Sequence, residues 1–84
     1  MADAPDLERL QEQIAQLRVD DILVGAASTL ASIAYAKLAA RELAEAKRAI
    51  DALTAVVLLI EDAGLSRDLS AALANLQVDF ADRA

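Results

Sequence analysis

Apolar residues recur along the chain at the spacing of amphipathic α-helices. The first series runs Leu7, Leu10, Ile14 and Leu17. Steps of three and four residues place these side chains on one narrow stripe of an otherwise polar helix. Pro5 suits the first helical turn, where its missing N–H costs no hydrogen bond. The pattern predicts a first helix near residues 6–18, and a continuous helix that runs past residue 21 remains open.

A second helix is predicted near residues 21–39, with Asp20 and Asp21 as its N-cap and first-turn acid. One face of this helix is apolar and carries Leu23, Ala27, Leu30, Ala34 and Leu38. The opposite face is uncharged and small, with Gly25, Ser28 and Ser32 among its residues. Small side chains permit another helix to approach closely, so this face is a candidate contact surface.

A third helix is predicted near residues 41–62. Its main stripe is Leu43, Ala46, Ile50, Leu53, Val57 and Ile60. No Gly, Pro or capping residue separates this helix from the second. The apolar spacing slips between Leu38 and Leu43, which predicts a turn, with one uninterrupted helix as the alternative.

A fourth helix is predicted near residues 67–82, with a stripe of Leu69, Leu73, Leu76 and Phe80. Gly64 is predicted to form a left-handed C-cap of the third helix, and Ser66 to N-cap the fourth. The fold class is therefore all-α: three to four helices in hairpins that form a bundle, completed by oligomerisation. Residues 1–84 are one helical domain, with an N-terminal polar helix over 1–18 and a helical core over 19–84. The predicted core is Leu23, Leu30, Ile33, Ile50, Leu53, Val57, Ile60, Leu69, Leu73, Leu76 and Phe80.

The back of the third helix changes from charged to apolar midway along its length. Its second half carries Ala52, Ala55, Leu58 and Leu59. A helix that is apolar all round is typically buried on every side, which so small a monomer cannot easily achieve. We therefore expect a homo-oligomer, most simply a two-fold dimer. The expected interface is Ala52, Ala55, Leu58, Leu59, Gly25, Ser28 and Ser32. The alternative is that the first helix folds back over this patch within one chain.

The composition argues against several classes of function. The net charge is −6, with 8 Lys plus Arg against 14 Asp plus Glu, which disfavours nucleic-acid binding. The basic residues near the third helix are interleaved with acids, and Arg41–Glu45 and Lys47–Asp51 are expected pairs. The absence of Cys and His leaves no predicted cofactor, metal site or activated nucleophile, although spacing leaves a Ser–Lys pair with Lys37 open. We expect no enzymatic activity.

The uncharged run from Ile22 to Ala36 is shorter than the roughly 17 residues that a membrane span needs. No membrane span is therefore expected. An acidic start without a basic, then apolar, leader predicts a cytoplasmic protein.

The stretch from Val19 onward resembles the bacterial domain of unknown function 1844 family, whose members have no assigned activity. The resemblance rests on the uncharged helix, on Ala46-Lys47-x-x-Ile50-Asp51-x-Leu53, on Gly64-Leu65-Ser66 and on a last helix ending in Phe80. The polar loop usual before Ala46 is missing here, and Glu61-Asp62-Ala63 replaces a basic run. The resemblance implies a small helical protein and no particular chemistry.

Two functions remain. The first is a small acidic interaction or structural module that acts through protein contacts as a homo-oligomer and can also bind an unidentified protein partner. The second is a helical-bundle carrier whose alanine-lined interior holds an apolar ligand.

Overall fold

The computed structural model describes residues 4–84, with side chains from residue 6 onward. Its four α-helices are α1 (Ala4–Gln16), α2 (Val19–Ala39), α3 (Leu43–Leu59) and α4 (Ala63–Arg83). No strand occurs over residues 4–84. The predicted all-α fold is confirmed, and the helices begin and end within about four residues of the predicted positions.

Helices α2, α3 and α4 pack against one another as an up-down-up bundle. Its core combines large and very small side chains. Leu38, Leu53 and Leu76 are fully buried, and so are Ala27, Ala34 and Ala46. Alanine at these positions lets the helix backbones approach closely, and the leucines fill the remaining space.

The predicted core is largely confirmed, with one correction. Ile50, Leu53, Val57, Ile60, Leu73 and Leu76 are buried. Leu30, Leu69 and Phe80 are partly buried against this cluster, and Leu23 is also partly buried. Ile33 is 42% exposed, so the prediction was wrong there. Its position, one residue before buried Ala34, turns it about 100° away from the core.

The turn between α2 and α3 is real and is closed by Arg41. This residue has φ 59°, a left-handed conformation that non-glycine residues rarely adopt. The Glu42 N–H donates to Lys37 O at 2.9 Å and the Arg41 N–H to Leu38 O at 3.1 Å, which is the hydrogen-bond pattern of a Schellman motif. The uninterrupted-helix alternative was therefore wrong.

The predicted Arg41–Glu45 ion pair was also wrong, because Glu45 Oε1 instead accepts from Arg48 Nη1 at 3.1 Å. The expected Lys47–Asp51 pair is present at 2.9 Å.

An ion pair spans the same turn. Lys37 Nζ lies 2.8 Å from Glu42 Oε2, and this hydrogen bond and charge raise the pKa of Lys37 above its ordinary value. A raised pKa means that the pair stabilises the folded chain at neutral pH. The part of this stabilisation that comes from the raised pKa is lost when the pH rises into the alkaline range through the pKa of Lys37.

Helix α1 ends at Gln16 and α2 begins at Val19. The two residues between them are not helical, so the continuous-helix alternative was wrong. Arg18 is extended (φ −84°, ψ 143°) and is the N-cap residue of α2, the role predicted for Asp20. The Leu17 N–H donates to Ile14 O at 3.1 Å, and the Arg18 N–H donates to an Asp21 carboxylate oxygen at 3.4 Å. These local hydrogen bonds hold the two-residue joint.

The predicted caps between α3 and α4 were also wrong. Gly64 does not have a positive φ and lies inside the first turn of α4. Asp62 is the N-cap, and its carboxylate accepts from the Leu65 N–H at 3.0 Å. An aspartate before the turn thus does what Ser66 was expected to do.

Asp20 makes the main polar contact between helices. It is 8% exposed, and its two carboxylate oxygens accept from the Glu61 N–H at 3.2 Å and the Asp62 N–H at 2.9 Å. The carboxylate therefore links the start of α2 to the connection before α4. Its negative charge also lies at the positive end of the α2 dipole.

The opposite end of the bundle has a second link. Arg83 Nη1 donates to Leu38 O at 3.2 Å, while Arg83 Nε donates to Asp79 Oδ1 at 2.9 Å. Asp79 therefore orients a guanidinium that satisfies a carbonyl at the end of α2. Helices α2 and α4, which run parallel, are joined at both ends.

We expect Asp20→Ala to lower the free energy of unfolding by about 2–3 kcal/mol, because two backbone N–H groups lose a charged acceptor. Urea denaturation measures the change. The control is Asp21→Ala, which removes an exposed carboxylate with one long hydrogen bond and should cost under about 1 kcal/mol. Equal losses in the two variants would contradict the linking role of Asp20.

We expect Arg41→Gly to raise the free energy of unfolding by about 0.5–1 kcal/mol, because glycine adopts the left-handed conformation without a Cβ clash. The matched control, Arg48→Gly in the middle of α3, should lower it by about 1 kcal/mol. Thermal denaturation at neutral pH distinguishes the two. A destabilised Arg41→Gly variant would mean that the arginine side chain makes a contribution larger than the strain.

Candidate protein-contact surface

The seven residues of the predicted interface are all exposed in the single chain. They are Gly25, Ser28, Ser32, Ala52, Ala55, Leu58 and Leu59. The two leucines are the largest of them, with Leu58 80% exposed and Leu59 65% exposed. Their exposure leaves the expected contact with a second chain as a prediction.

The structure places these residues on three separate surfaces. Ala52, Ala55 and Leu59 share one face of α3, whereas Leu58 is turned about 100° around the helix from Leu59. Gly25, Ser28 and Ser32 form a third surface on α2. A Cβ added at Gly25 would meet nothing within 4 Å, so no part of the same chain uses the space that this glycine leaves open.

Exposed apolar residues nevertheless lie on both α2 and α3 at the same end of the bundle, and the sequence reasoning missed those on α2. Val19 and Ile22 are 72% and 58% exposed, and Ala26 follows them at helical spacing. We use the name α2–α3 face for the set of five residues Val19, Ile22, Ala26, Ala52 and Leu59. The sequence does contain a signal for the α2 half, because Val19, Ile22 and Ala26 follow one another at steps of three and four residues.

Contacts at one end of the bundle show that the two halves of this face are adjacent. A hollow of about 280 Å³ is bordered by Val19 and Leu59, together with Arg18, Asp20 and Glu61. Lys37, on the same side of α2, is paired with Glu42 before α3, whereas Asp20 and Leu38 are linked to residues of α4 and its approach. Val19 therefore lies next to the end of α3, and Ile22 and Ala26 follow it at helical spacing along the same side of α2.

Helix α1 presents a second uncovered apolar surface. Its stripe, Leu7, Leu10, Ile14 and Leu17, is between 49% and 58% exposed at every position. Within residues 4–84, α1 packs against none of the other three helices. The fold-back of α1 over the α3 patch is therefore not the arrangement of this chain. We call these four residues the α1 stripe.

The dimensions of the chain show how much surface is uncovered. The radius of gyration is 16.5 Å and the longest extent is 53 Å, whereas a compact chain of this length has a radius of about 12 Å. The accessible surface is 5905 Å², against about 4,800 Å² expected for a compact monomer of the same mass. The excess of about 1,100 Å² exceeds the roughly 800 Å² that one partner buries in a standard interface.

Other chemistry has little support among the described residues. No group of three or more acidic side chains over residues 4–84 is placed to hold a metal ion. Lys37 is engaged by Glu42, and its raised pKa makes it a poorer general base for Ser32. Tyr35 is 46% exposed and lies on the outer surface of α2.

Helix α2 (Val19–Ala39) is long and apolar enough to cross a membrane by length and composition, with a mean hydropathy of 1.5 over its most apolar window. The core helix of a bundle passes the same test, and α2 buries Ala27, Ala34 and Leu38 against its neighbours. Asp20 and Lys37, each bonded to another element, lie near its two ends. The expectation that the chain does not span a membrane stays a prediction.

Comparisons with known proteins found no match: no family model, curated protein or solved structure is significantly similar to this chain. The resemblance to the domain of unknown function 1844 family stays a prediction.

We expect Gly25→Ala to raise the free energy of unfolding by about 0.5–1 kcal/mol at concentrations where the chain is monomeric, because alanine favours helix and the Cβ meets open space. Urea denaturation at several protein concentrations measures it. Destabilisation that increases with concentration would show that a second chain packs closely on Gly25.

Proposed function

We propose that this protein is a small acidic interaction module that acts through protein–protein contacts as a homodimer. The observation that carries the proposal is the uncovered apolar surface of the α2–α3 face and the α1 stripe. Exposed patches of this kind on a small chain favour association, because burying one leucine is worth roughly 1.5–3 kcal/mol. A symmetric interface gains each contact twice.

The charge distribution supports a protein partner over nucleic acid. The net charge is −6, and four of the basic side chains are paired with acids, in the pairs Lys37–Glu42, Lys47–Asp51, Arg48–Glu45 and Arg83–Asp79. A phosphate backbone would have to displace these acids before it could bind. Protein contact also requires no catalytic residue, and we propose a cytoplasmic, non-enzymatic role.

The carrier function has less support from the packing. The buried alanines face other helices, and Leu38, Leu53 and Leu76 fill the middle of the bundle. The hollow bordered by Val19 and Leu59 opens at the bundle end and includes two acidic residues. Native mass spectrometry separates the functions: a bare dimer supports the module, and a co-purified small molecule of constant mass supports the carrier.

We expect Leu59→Arg to convert the dimer to a monomer at tens of micromolar, because it replaces a 65% exposed leucine of the α2–α3 face with a charge that is costly to desolvate in an interface. Size-exclusion chromatography with light scattering measures the mass. The matched control is Val78→Arg on α4, where the original residue is 62% exposed against 65% for Leu59. The control should remain a dimer, and circular dichroism should show that both variants are helical.

A monomeric wild-type chain at the same concentration would overturn the homodimer. A dimer that survives Leu59→Arg but not Val78→Arg would move the interface to α4.

A further inference from the structure

We infer that the α1 stripe of one chain packs on the α2–α3 face of a second copy, so that the dimer forms by reciprocal exchange of the α1 arm. This inference rests on the proposed homodimer and names the two surfaces that form it. Each copy contributes one arm and one acceptor face, and two-fold symmetry produces two identical contacts.

Helix α1 needs a covering surface to persist. It has 13 residues, and isolated helices of this length are marginal in water even when rich in alanine. Four half-exposed apolar side chains lie along it, while α1 contacts no other helix over residues 4–84. Packing on an apolar surface would provide the stabilisation that the helix lacks alone.

The joint between α1 and α2 directs the arm away from its own bundle. Only Leu17 and Arg18 separate the two helices. The Leu17 N–H and Arg18 N–H are bonded to Ile14 and Asp21, and the Asp21 N–H donates to Arg18 O at 3.0 Å. A fold-back would have to break these bonds, whereas a second copy can reach the arm in its present direction. Short connections of this kind favour exchange between copies.

The two surfaces are chemically matched. The five residues of the α2–α3 face are apolar, as are the four of the α1 stripe, and Asp6 and Arg9 border the stripe at Leu7 and Leu10. Both sets follow the three-and-four spacing that lets helices pack side by side. The excess surface of about 1,100 Å² per chain is also enough for the roughly 800 Å² that each partner buries in a standard interface.

A lipid surface suits the arm less well. Helices that lie on membranes are rich in Lys and Arg on their polar side. The polar side of α1 instead carries Glu8 and Glu12, and Asp6 lies in its first turn, with Arg9 as the basic residue over Ala4–Gln16. Anionic headgroups would repel these acidic side chains. A protein surface, that of the second copy, therefore suits the α1 stripe better than a membrane does.

The test uses two full-length variants that fail in complementary ways. Leu10→Lys with Ile14→Lys disables the arm and leaves the face intact, whereas Leu59→Arg disables the face and leaves the arm intact. We expect each variant alone to be monomeric at tens of micromolar. An equimolar mixture should form a dimer more weakly than the wild type, because the intact arm of one variant packs on the intact face of the other and restores one of the two contacts.

The matched control for the arm is Ala15→Lys with Gln16→Lys, which adds the same charge on the polar side of α1, away from the α1 stripe. It should remain a dimer. Circular dichroism of the wild type should also lose helical signal when the dimer is diluted to monomer, because α1 unfolds when released. The arm variant should show the lower signal at all concentrations.

A dimeric arm variant would overturn the exchange and leave the homodimer proposal standing. A mixture that associates no more than each variant alone at every concentration, although both variants are folded, would also overturn it. A wild-type monomer would overturn both proposals, and its flotation with vesicles of phosphatidylcholine and phosphatidylglycerol would assign the α1 stripe to lipid.

Discussion

The carboxylate of Asp20 is the interaction on which the arrangement of the bundle depends. It brings together the start of α2, the end of α3 and the approach to α4, because its two oxygens accept from consecutive N–H groups that have left α3 and have not yet entered α4. A buried carboxylate is costly unless such donors are present. Once they are present, the α3–α4 connection has little freedom to move. The position of Leu59 beside Val19 follows from this constraint, and it brings the exposed apolar residues of α2 and α3 to the same end of the bundle.

The sequence was sufficient for the helices and most of the core because these depend on local periodicity. It was insufficient at the helix ends, where tertiary contacts decide. Asp20 looks like a local N-cap in the sequence, yet its carboxylate accepts hydrogen bonds from N–H groups that lie 41 and 42 residues further along the chain. Gly64 looks like a left-handed C-cap, but the conformation occurs at Arg41, where the close packing of α2 on α3 requires a tight turn that no favourable residue marks.

The candidate surface was predictable only in part for the same reason. On the outer face of α3, the change from charged to apolar residues at Ala52 identified the α3 half of the candidate surface. The other half required knowing which side of α2 faces α3, and helical spacing alone does not fix that. The separation of α1 from the bundle likewise has no signal in the sequence, since an amphipathic stripe is equally compatible with a helix covered by its own chain and one covered by another.

The fully buried alanines have a consequence for how this protein can change its sequence. Ala27, Ala34 and Ala46 have no accessible surface, and an alanine side chain has no rotamers to lose on folding. The same methyl groups set the distance between helix axes, so a larger residue has no alternative conformation that would avoid the neighbouring helix. Accommodating one would require a whole helix to move, and the Asp20 and Arg83 links at the two ends oppose that. The interior can thus vary little in volume, and divergence in this chain is directed to its outer faces.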